Sequence, residues 1–86
     1  MTNPWHIVSD GTSMYRPKGR TWPCVELSGS KVYARDNNSK HPSETLITED
    51  ISVDGVKALL KRGISLPHPT EEMIEQFVAA AKKRLQ

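Results

Sequence analysis

The hydrophobic repeat of this chain changes period along its length, and that change restricts the fold more than any other feature. Val25 and Leu27 alternate with polar neighbours before Ser28-Gly29-Ser30, and Val32 and Ala34 do so after it. Alternation at period two marks strands with one buried face. Near the end, Met73, Ile74, Phe77, Val78, Ala81 and Leu85 fall instead on one stripe of a 3.6-residue helix. The predicted class is α+β: two successive N-terminal hairpins forming a small antiparallel sheet, covered on one face by two C-terminal helices.

The turn chemistry supports the hairpins. Asp10-Gly11 follows Trp5-His6-Ile7-Val8, and Asp-Gly between short β-prone runs is a type I′ turn signal. A turn there sets Ile7 opposite Met14 and His6 opposite Tyr15. The second hairpin joins 22–27 to 31–35 through Ser28-Gly29 or Gly29-Ser30, and either choice keeps Val25, Leu27, Val32 and Ala34 together. Trp22, Glu26, Lys31, Tyr33 and Arg35 then share the opposite face. Pro17 and Gly19 interrupt the strand pattern, so Arg16-Pro17-Lys18-Gly19-Arg20 is expected as an exposed loop tip.

Leu46-Ile47-Thr48 reads as either a short strand or the lead into the helical half. Ser52 is placed to cap a helix over about 53–62, with Gly63 as its stop, although Gly55 costs helix propensity near the start. Pro69 or Thr70 opens the last helix, which is expected to run to about Leu85. Its first turn is acidic and its last turn basic, as the helix dipole favours. The expected core is Ile7, Met14, Val25, Leu27, Val32, Ile51, Val56, Leu60, Ile64, Met73, Ile74, Phe77, Val78 and Ala81.

With 86 residues the chain has room for one domain, expected over 1–86: β-rich over 4–35, a polar loop over 36–45, and helical over 52–86. A single Cys excludes an internal disulfide framework. No apolar run approaches the roughly 18 residues of a membrane span, and the polar start does not read as a signal peptide. A cytoplasmic protein with no membrane partner is therefore expected. Asn37-Asn38-Ser39 matches a glycosylation acceptor that has no meaning in that setting.

Catalytic signatures are absent from the sequence. Cys24, His6, His41 and His68 lie far apart, without a C-x-x-C or H-x₃₋₅-H pair to start a metal site. Cys24 reads as a strand residue entering the core, not as an activated thiolate. Neither a phosphate-binding glycine loop nor a G-x-S-x-G elbow occurs. Asp36, His41 and Glu44 sit in a polar loop with nothing local to fix their geometry. No catalytic residue, metal or cofactor is expected.

Binding is better represented. The net charge is only +2, but it divides unevenly. Residues 14–35 carry Arg16, Lys18, Arg20, Lys31 and Arg35 against Glu26, or +4, and residues 36–54 sum to −4. Tyr15, Trp22 and Tyr33 interleave with the cations, and interface centres favour such residue types. Tyr15, Arg16, Lys18, Arg20, Trp22, Lys31, Tyr33 and Arg35 are the candidate partner-binding residues. The expected function is a small non-catalytic protein that binds and modulates, by inhibition, a larger protein or complex, of the kind carried by bacteriophages and other mobile elements. The alternative is a nucleic-acid-binding domain that stacks bases on the same basic, aromatic face.

Overall fold

Alternation and turn chemistry give, among the described residues, five short strands before two helices. The computed structural model describes residues 5–7, 11–15, 24–35, 45–64 and 68–86. The strands are β1 (His6–Ile7), β2 (Ser13–Tyr15), β3 (Cys24–Ser28), β4 (Lys31–Arg35) and β5 (Leu46–Thr48); the helices are α1 (Val53–Gly63) and α2 (Glu71–Arg84). All five strands form one antiparallel sheet in chain order, β1-β2-β3-β4-β5. The α+β class is as expected, but the two hairpins are joined by β2–β3 pairing into a single meander. Leu46–Thr48, ambiguous in the sequence, is its fifth strand.

The registers follow the turns. His6 pairs with Tyr15 and Ile7 with Met14, the register that a turn at Asp10-Gly11 requires. Gly11 takes φ 75°, and Asp10 lies outside the described residues. Cys24 pairs with Arg35 and Ser28 with Lys31, which selects Gly29-Ser30 over Ser28-Gly29 as the second turn. Between the hairpins, Met14 pairs with Val25, and the Leu27 amide donates to the Thr12 carbonyl at 2.9 Å.

These registers align one row of side chains across the whole sheet: Ile7, Met14, Val25, Ala34 and Leu46. The helices cover that face. Val56, Leu59 and Leu60 of α1 and Ile74, Phe77, Val78 and Ala81 of α2 are buried against it. Each large apolar side chain withdrawn from water stabilises the fold by about 1.5–3 kcal/mol. Ile7, Leu27, Ile51 and Met73 pack on the core without full burial. Among the described residues, three core members were not expected: Ala34, Leu59 and above all Trp5, the largest fully buried side chain there. Trp5 shares its face with Ile7 because the two are separated by one residue of extended chain.

Both helices start with a side-chain cap. Ser52 Oγ accepts from the Gly55 amide at 3.0 Å and donates to Asp50 Oδ1 at 2.8 Å. Thr70 Oγ1 accepts from the Met73 amide at 3.2 Å. Gly63 is not the stop residue: it is the last residue of α1, and extended Ile64 ends the helix. A side chain at Gly63 would run into Leu46, so its role is to let β5 approach α1. Lys57 Nζ donates to Glu71 Oε1 at 2.7 Å, tying the middle of α1 to the start of α2. Among the described residues, no helix is long and apolar enough to cross a membrane.

Candidate functional site: the outer face of the sheet

Lys31, Tyr33 and Arg35 occupy alternate positions of β4, so all three leave the sheet on the face opposite the helices. Tyr15 reaches the same face from β2, through its pairing with Cys24. The structure thus brings together four of the candidate binding residues. Arg16, Lys18, Arg20 and Trp22 lie outside the described residues.

Two cross-strand rows organise this face. The first runs His6, Tyr15, Cys24, Arg35; the second runs Ser13, Glu26, Tyr33, Ile47. The His6 and Tyr15 rings stand 5.7 Å apart between centroids, with planes tilted by 35°. Aromatic neighbours at such separations attract beyond their buried area. Tyr33 is half-buried between Glu26 and Ile47, its partners on β3 and β5. Ile47 is 44% exposed, one of two large hydrophobic side chains left open among the described residues. The other, Leu85, borders a shallow groove with Thr12, Leu27, Gly29 and Arg84 at the end of α2.

Electrostatically the face is more balanced than its sequence suggests. Arg35 Nη2 lies 3.5 Å from Glu26 Oε1, and Lys31 Nζ lies 3.7 Å from Glu49 Oε1. Both pairs are solvent-exposed and each contributes only about 0–1 kcal/mol to stability. Their larger effect is on potential, because each described cation of the basic stretch has a carboxylate beside it.

Cys24 departs from expectation. Its register puts it on the outer face, flanked by Tyr15 and Arg35, instead of in the core. It is a free, half-buried thiol. Burial raises its pKa, the Glu26 charge raises it further, and Arg35 opposes both. The thiolate that nucleophilic chemistry needs is therefore disfavoured at neutral pH.

His6 and Cys24 share a row but sit on β1 and β3, with Tyr15 of β2 between them. His68 is engaged elsewhere, with Nε2 2.9 Å from the Ile64 carbonyl oxygen. Among the described residues, no group of three or more His, Cys, Asp or Glu is placed to hold a metal ion.

His6, Ile47 and Glu49 belong to this face and were missed in the sequence. For Ile47 the signal was present: once Leu46–Thr48 is a strand, Leu46 and Thr48 point inward and Ile47 must point out. No family model, no curated protein and no solved structure matches the chain.

Proposed function

We propose that this chain is a non-catalytic binding protein that docks on a larger protein or complex through the outer face of its sheet and modulates it by inhibition. Tyr15, Lys31, Tyr33 and Arg35 form the contact, with Arg16, Lys18, Arg20 and Trp22 contributing from the segment between Tyr15 and Cys24. The observation that carries this reading is the Tyr33–Ile47 pair, an aromatic and an aliphatic side chain side by side on a face that no described element covers. Binding energy concentrates in such anchors, and a polar rim around them excludes water. The Arg35–Glu26 and Lys31–Glu49 pairs supply that rim. Small size and the absence of enzyme motifs favour an accessory protein of the type carried by phages and mobile elements.

Nucleic-acid binding is the second reading, favoured by Lys31, Tyr33 and Arg35 projecting from one face at period two. Glu26 and Glu49 weigh against it, because a phosphate backbone would meet a carboxylate beside each of these cations.

The test is capture from host lysate by the immobilised protein, with and without nuclease, set against a Tyr33→Thr/Ile47→Thr double variant that places a residue of good strand propensity at both positions. Losing an interface anchor costs roughly 2 kcal/mol or more, about thirtyfold in affinity. The expected result is a protein species retained after nuclease treatment by the parent chain and lost by a variant with the same circular dichroism. Nuclease-sensitive capture selects the second reading, and equal retention by parent and variant removes this face from both.

A further inference from the structure

We draw no further inference here: the strongest candidate, the open patch of the sheet's outer face around Tyr33, Ile47 and the β5 edge, belongs to the site already described, and nothing in the structure shows what covers it.

Discussion

Replacing Gly55 by alanine sets helix propensity against packing, and the two give opposite signs. Alanine is favoured over glycine inside a helix by about 1 kcal/mol, so propensity alone makes Gly55→Ala stabilising. Packing says otherwise. A Cβ at residue 55 would overlap the backbone carbonyl oxygen of Asp50 and stand 2.7 Å from Asp50 Cγ and 2.8 Å from Asp50 Cβ. Carbon atoms pack best at about 3.5–4.0 Å, so something has to move. The obstacle is backbone, and it is held: the Asp50 amide donates to Thr48 Oγ1 at 3.1 Å, and Ser52 bonds both Asp50 and the Gly55 amide. Relieving the overlap therefore disturbs the cap of α1.

Overpacking costs about 1–3 kcal/mol and a weakened N-cap about 1 kcal/mol, so after the propensity gain the net loss is about 1–3 kcal/mol. In a domain of this size each kcal/mol lowers Tm by about 4–8 °C, which puts the fall at roughly 5–20 °C. Thermal and urea unfolding followed by circular dichroism read it directly. Gly63→Ala is the matched comparison. There the built Cβ meets the Leu46 side chain, with Cδ1 nearest and Cγ at 3.1 Å, and a side chain can rotate where a backbone carbonyl cannot. Gly63→Ala should cost less than Gly55→Ala. An unchanged or higher Tm for Gly55→Ala would refute the packing argument, and equal losses would refute the distinction between the two obstacles.

Trp5→Ala should lose about 3–5 kcal/mol, because it empties the largest buried site among the described core residues; Trp5→Phe gives a milder variant that stays folded for measurement. A urea-derived loss for Trp5→Ala below about 1 kcal/mol would mean that the side chain is not needed to complete the core. Cys24 should react slowly with a disulfide reagent at neutral pH, and Glu26→Gln should speed it by removing a charge that raises the thiol pKa while leaving Arg35 to lower it; an unchanged rate would exclude the Glu26 contribution. The Lys57–Glu71 pair predicts a pH profile. Lys57 holds the Glu71 carboxylate below its ordinary pKa, so its contribution is present above the ordinary carboxylate range and lost as pH falls through the lowered value. Glu71 raises the Lys57 pKa, so that contribution is present below the ordinary lysine pKa and lost as pH rises through the raised value. Glu71→Gln should flatten the decline of Tm toward acid, and a profile parallel to the parent's would show that the pair is not linked to folding.

The parts of the fold legible in the sequence are those decided by local chemistry. Asp10-Gly11 implied the His6–Tyr15 register, alternation sorted Val25, Leu27, Val32 and Ala34, and Ser52 caps the helix it precedes, while the start left between Pro69 and Thr70 is settled by the Thr70 cap. What escaped depends on contacts between segments. Gly55 looks like a defect of α1 until Asp50 is found against it. Gly63 looks like a stop signal until Leu46 is found beside it. Trp5 was within reach, since the alternation that buries Ile7 also buries the residue two before it, but a strand of two residues offers too short a pattern to show its face. Cys24 was misplaced for a related reason. Adjacent to Val25, it must leave the sheet on the other side, and its small apolar character suggested the core more strongly than its parity excluded it.

The same distinction decides what the charge pattern means. Along the sequence, residues 14–35 and 36–54 are opposed blocks of +4 and −4. In the meander, β4 ends the first block and β5 belongs to the second, and they are antiparallel neighbours. Val32 pairs with Thr48, so continuing the register by one residue sets Lys31 opposite Glu49, where the ion pair is found. Arg35 meets Glu26 diagonally across β3 and β4, a pair internal to the first block. Segregation in sequence thus becomes pairing in space wherever the two blocks occupy adjacent strands. Among the described residues the cations of this face are neutralised pair by pair and give little long-range steering, which is screened within about 10 Å at moderate salt in any case. On the proposed binding reading, selectivity on this part of the sheet would fall to Tyr15, Tyr33 and Ile47, whose shape and apolar area a partner would have to match at contact.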